Sequence, residues 1–96
     1  MNKVVMLDKL KRLPTKEEND RALKIVSKAT KSGVKIEIFR TYGPYDSVVI
    51  VESDGTDKSE ELYLEYLHTV KPWIDVITMQ VIDDNLYQKV SKKHIK

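Results

Sequence analysis

Tyr42-Gly43-Pro44-Tyr45-Asp46-Ser47-Val48-Val49-Ile50-Val51-Glu52 lies near the middle of the 96-residue chain, and its reading decides the fold. The first half is a turn: Gly43 can take positive φ, and Pro44 fixes its own φ. The second half, Val48 to Val51, is apolar at every position, as in a strand covered on both faces. Just upstream, Val34-Lys35-Ile36-Glu37-Ile38-Phe39-Arg40-Thr41 alternates. Val34, Ile36 and Ile38 fall on one face and Lys35 and Glu37 on the other, the pattern of a half-buried strand at a sheet edge. The two strands form a β-hairpin with a loop of roughly four or five residues.

Working outward, Thr15-Lys16-Glu17-Glu18 has the capping-box form after Pro14, a hydroxyl with a carboxylate three residues on. Ala22, Ile25, Val26 and Ala29 follow at helical spacing, and Ser32-Gly33 supplies a left-handed stop. Before that helix, Lys3 to Leu7 is a short apolar strand, and Asp8 to Pro14 reads as an irregular basic connection. After the central hairpin, Asp57 or Ser59 can cap a second helix with an apolar stripe at Tyr63, Tyr66, Leu67 and Val70. Pro72 ends it. Ile74 to Ile82 is a last strand of mixed alternation. The order is β-α-β-β-α-β, which predicts an α+β, ferredoxin-like sandwich over residues 1–82: a four-stranded antiparallel sheet with both helices on one face. Strands one and three are central in that plan, and they are the two that lack polar alternation. Residues 83–96 form a tail that is either a short helix around Leu86, Tyr87 and Val90 or partly disordered.

The central strands carry apolar side chains on both faces, yet both helices cover only one. Together with Phe39 and part of strand four they leave an apolar outer face that a monomer seldom tolerates. The chain is therefore expected to pair with itself, sheet against sheet, as a homodimer or higher oligomer.

Composition removes many classes of chemistry. There is no cysteine, so disulfides and thiolate-bound metals are excluded. His68 and His94 are not at ligand spacing, and no HExxH motif, phosphate-cradling glycine loop or nucleophile elbow occurs. No metal and no cofactor is expected. The longest apolar run is four residues, against the roughly 20 of a membrane span. The first residues lack a secretory-signal pattern, so a cytoplasmic location and no membrane partner are expected. Abundant Lys and Glu suit a heat-adapted source. The net charge of +2 is unevenly spread, with net +6 over residues 1–40, −7 over 41–83 and +3 over 84–96. Arg21, Lys24, Lys28 and Lys31 make the first helix basic, while Asp57, Glu60, Glu61 and Glu65 make the second acidic. In the predicted plan the helices lie side by side, so pairing between them is expected rather than a nucleic-acid surface. The base-stacking aromatics of RNA-recognition strands are also missing.

The Gly43-Pro44-Tyr45-Asp46 turn and its following strand resemble the signature of the GYD domain family, with Gly43, Tyr45 and Asp46 at its three named positions. Resemblance to that family implies a domain of the dimeric α/β-barrel group, mostly of unassigned function. A weaker resemblance runs to the effector domains of leucine-responsive-type regulators. Tyr42, Tyr45 and Asp46 are the candidate ligand-binding residues, and no catalytic residue stands out. The expected function is small-ligand binding or an assembly role. The alternatives are a cofactor-independent enzyme of the small monooxygenase type, or a stand-alone effector module of a transcription regulator. An enzyme needs a cavity between sheet and helices with Tyr, Asp or His68 pointing inward. A closed core argues against one.

Overall fold

The computed structural model describes residues 2–94. Its elements are β1 (Asn2–Leu10), α1 (Lys16–Lys31), β2 (Lys35–Arg40), β3 (Ser47–Ser53), α2 (Asp57–Val70), β4 (Ile74–Gln80) and α3 (Asp84–His94). The four strands form one sheet in the order β2-β3-β1-β4, every neighbouring pair antiparallel. This is the ferredoxin-like arrangement, with β1 and β3 central as their unbroken apolar runs require.

Local chemistry sets the helix ends. The Thr15 hydroxyl accepts from the Glu18 N–H at 3.1 Å, and the Glu18 carboxylate accepts from the Thr15 N–H at 2.9 Å. That reciprocal cap starts α1. Arg12 grips the same carboxylate with two bonds of 2.8 Å. These contacts, the Arg12 hydrogen bond foremost, pull the Glu18 pKa down to about 2. Gly33, at φ 92°, turns the chain out of α1 while the Val34 N–H returns to the Ala29 carbonyl. Thr56 caps α2, rather than the expected Asp57 or Ser59. Its hydroxyl accepts from the Ser59 N–H, and both Thr56 N–H and Ser59 Oγ are drawn to the Asp54 carboxylate.

Register fixes which residues share a face. Val4, Met6 and Asp8 of β1 lie opposite Val51, Val49 and Ser47 of β3, which lie opposite Ile36, Ile38 and Arg40 of β2. These rows face the helices. Ala22, Ile25 and Ala29 of α1 are buried against this side, and Val70 of α2 is fully enclosed. Ala22, Val70, Trp73 and Ile74 form one tight cluster. On the other face lie Phe39, Val48, Leu7 and Ile77 in one row, and Ile50, Val5 and Met79 in the next. A Lys3–Glu52 ion pair at 3.2 Å borders them. Phe39, Ile77 and Met79 are each about half exposed, and nothing among the described residues covers them.

Several expectations are corrected. β1 does not stop at Leu7: Asp8, Lys9 and Leu10 continue the ladder against Val76, Asp75 and Ile74, because β4 offers partners along its whole length. The hairpin loop is six residues, 41–46, one more than the upper expectation, since β2 ends at Arg40 and β3 begins at Ser47. The tail carries a three-turn helix, α3, longer than the one or two turns expected. Its residues from Asp84 through Val90 are all exposed. Ile95, Lys96 and the His94 side chain lie outside the described residues. None of the ion pairs among the described residues joins α1 to α2. Arg21, Lys24, Lys28 and Lys31 are exposed, since the buried face of α1 is its alanine and isoleucine stripe. The radius of gyration is 15.6 Å, against about 12.5 Å for a compact domain of this length.

Candidate functional site

The layer between sheet and helix pair is not fully packed. A cavity of about 360 Å³ lies over β1, β2 and β3, walled by Ile25, Ala29, Ile36, Val51, Leu62 and Tyr63 among others. A second of about 430 Å³ continues toward the other end of the sheet, past Asp8, Arg40, Ser47, Tyr66 and Trp73. Val26, Ile38, Val49 and Tyr66 line both, so the two are chambers of one groove. Small side chains on α1 account for the space: alanine at positions 22 and 29 takes up little of the gap between helix and sheet. Ile38 is 51% exposed although it lines both chambers, which leaves the groove open along the β2 edge.

The first chamber is apolar. Among its few polar lining groups, the Tyr63 hydroxyl donates to Thr78 Oγ1 at 2.8 Å. The second chamber has the chemistry. Asp8 is only 5% exposed, with Ser47 Oγ donating to its Oδ2 at a long 3.4 Å and no partner on Oδ1 among the described residues. Desolvation raises the Asp8 pKa, opposed by the Ser47 hydrogen bond and the Arg40 charge. Tyr66 is pushed up to about 12, by burial first and by the nearby Asp8 charge second. Trp73 is 6% exposed and its indole Nε1 has no acceptor among the described residues. Burial of a polar atom without a partner costs about 1–3 kcal/mol, so two in one chamber are notable.

The expected site residues divide. Tyr42 stands fully in solvent, and Tyr45 is half-buried; neither lines a chamber. Asp46 borders the second chamber. Its carboxylate accepts from the Leu10 N–H at 2.7 Å, and its own N–H donates to the Asp8 carbonyl at 2.8 Å. The turn is thereby tied to the end of β1, on the strand that carries Asp8. Thr41 braces the loop from within, its hydroxyl donating to the Tyr45 carbonyl at 2.7 Å. His68 is exposed and lines neither chamber. No cluster of three potential metal ligands occurs among the described residues, and no helix among them is long and apolar enough to cross a membrane.

Asp8 and Arg40 were not singled out from the sequence, yet a signal existed. The period of two that places Val4 and Met6 on the core side places Asp8 there as well, and likewise Ile36, Ile38 and then Arg40. Trp73 belongs to the core cluster, and no sequence signal marks its indole as an unpartnered donor.

Solved structures share this architecture. A hypothetical protein from Pyrococcus horikoshii superposes with a TM-score of 0.56 at 23% identity, covering 88% of this chain and 93% of the other. A dimeric ferredoxin-like protein of unknown function from Thermobifida fusca gives 0.54 at 16% identity, over 85% and 90% of the two chains. A Thermus thermophilus protein gives 0.53 at 13% identity, over 86% and 95%. The fold is ferredoxin-like. At these identities the likeness extends to the fold alone. No protein-family profile matches the chain, and no curated protein matches it. The expected relation to the GYD family finds no matching family profile.

Proposed function

We propose that this protein is a homodimeric small-molecule-binding domain, with two copies packed through their outer sheet faces and an apolar ligand in each sheet–helix groove. The groove carries the reading. A first chamber of about 360 Å³ falls within the range of roughly 300–1,000 Å³ typical of ligand pockets, and a purely assembly-forming domain has no use for it. The dimer is supported by the apolar rows centred on Leu7, Val48, Ile50 and Val5, and by the description of the Thermobifida fusca neighbour as dimeric. The Gly43, Tyr45 and Asp46 turn supports a relation to the GYD domains. Within the turn, Asp46 is assigned to the border of the ligand site, with Tyr42 and Tyr45 left to the rim of the loop.

Calorimetric titration with naphthalene tests the groove. Saturable binding to the wild type, lost in a Val49→Phe variant that retains its circular dichroism, supports the reading. No saturable binding to the wild type overturns it.

A second reading, a cofactor-independent enzyme, is favoured by one observation: Asp8 is a buried carboxyl of raised pKa facing a cavity, the setting of many general acids and bases. His68, which that reading also invoked, stays outside.

A further inference from the structure

The second chamber has a composition that the apolar reading does not explain. Its floor is one cross-strand row, Asp8–Ser47–Arg40, and Trp73 and Tyr66 wall it. Two polar atoms there lack partners among the described residues, Asp8 Oδ1 and Trp73 Nε1, each on a side chain more than nine-tenths buried. An indole N–H only donates, so it needs an acceptor. A carboxyl oxygen flanked by a long Ser47 bond needs a donor. A single polar group that both donates and accepts complements the pair.

Resting on the ligand-binding reading above, we infer that the second chamber takes the uncharged polar head of an otherwise apolar molecule, a hydroxyl or primary carboxamide that accepts from Trp73 Nε1 and donates to Asp8 Oδ1, with the apolar body in the first chamber. Charge argues for a neutral head. The row holds one anion and one cation, Asp8 and Arg40, so a carboxylate entering it meets Asp8 and an ammonium meets Arg40. Either ion also loses its hydration in a site built largely of apolar walls. A neutral head relieves both orphaned atoms at neither cost. The two atoms have almost no contact with solvent, so the head reaches them with a side-chain shift at the chamber wall rather than through an open channel.

A head-group series of constant body tests this. Heptanol, heptanamide, heptanoate, heptylammonium and the zwitterion 2-aminoheptanoate are titrated calorimetrically into the wild type at neutral pH. Heptanol and heptanamide are expected to bind about tenfold or more tightly than the three charged members. A Trp73→Phe variant, which keeps an aromatic ring and loses the N–H, is expected to weaken heptanol about tenfold and leave naphthalene binding unchanged. Equal affinity across the series overturns the head-group assignment and leaves the groove reading standing. Tightest binding of any charged member also overturns it. Binding of naphthalene but of none of the five heptyl compounds does the same. Failure of naphthalene and all five together overturns both. The wild-type series decides the matter even if the Trp73→Phe variant fails to fold.

Discussion

Asp8 is the residue at which burial and charge pull apart. A β1 that served stability alone would carry an apolar side chain next to Met6 on the helix face. A carboxyl with one weak hydrogen bond costs stability there, and the direction of its pKa shift says when. Because the folded-state pKa lies above the ordinary value of 3.8, ionisation of Asp8 opposes folding. The penalty is absent below the unfolded pKa and grows as pH rises through the folded one. Asp8→Asn keeps the shape and an acceptor for Ser47 without the charge. It is expected to raise thermal stability at pH 7 by about 1 kcal/mol or more, several degrees for a domain of this length. The gain should vanish below about pH 4, where the wild-type carboxyl is protonated. Scanning calorimetry at pH 7 and pH 3.5 measures both; an asparagine variant less stable at pH 7 would show that the ionised carboxylate is stabilised by Arg40 after all. The residue scale was also the least legible in the sequence. Asp8 sits in a run that looks like a basic loop, Asp8-Lys9-Leu10-Lys11-Arg12, yet pairing with Ser47 of β3 and with β4 carries the strand on through Leu10. Its hydrogen-bond partner, Ser47, lies 39 positions away. No local pattern brings the two together.

At the scale of elements the sequence was far more informative, because caps and periodicity are local. The Thr15–Glu18 cap, the Ala22-Ile25-Ala29 stripe, the Gly33 stop and the placement of Val48 to Val51 in a central strand all stand as read. Where element readings failed, the competing signal was close by: Thr56 lies one residue before Asp57 and wins the cap because Asp54 orders the turn ahead of it. The expected α1–α2 ion pairs failed for a different reason. The interhelical face of α1 carries small apolar side chains, so its long basic ones reach solvent, where a pair would add little. Thr15→Ala removes one half of the capping box and is expected to cost about 1 kcal/mol, measured by urea denaturation. A loss below about 0.3 kcal/mol would mean that the Arg12 grip on Glu18 holds the helix start by itself. The groove was not legible at this scale, since a gap is a property of how far α1 stands from the sheet and not of either element.

For the whole molecule, the outer sheet face and residues 84–90 of α3 are left open to solvent among the described residues. Val5, Leu7, Val48 and Ile50 are half-buried and Phe39, Ile77 and Met79 about half exposed, in adjoining rows. Leu86, Tyr87 and Val90 of α3 are likewise exposed. The sequence foretold the outer face from two strands without polar alternation, and the structure places those residues side by side. Ile50→Glu puts a charge in the middle of the face, opposite Glu37 and Val5. In a sheet-to-sheet dimer that buries four such carboxylates close together, so the variant is expected to run as a folded monomer in light scattering. A dimeric Ile50→Glu variant would place the interface elsewhere. The most direct measurement of the whole is native mass spectrometry of freshly purified protein, which weighs the assembly and its contents together. The expected species has twice the 11.2 kDa chain mass and carries up to one small organic molecule per chain, released on denaturation. A single chain of 11.2 kDa, with nothing bound before or after addition of an apolar alcohol, would contradict it.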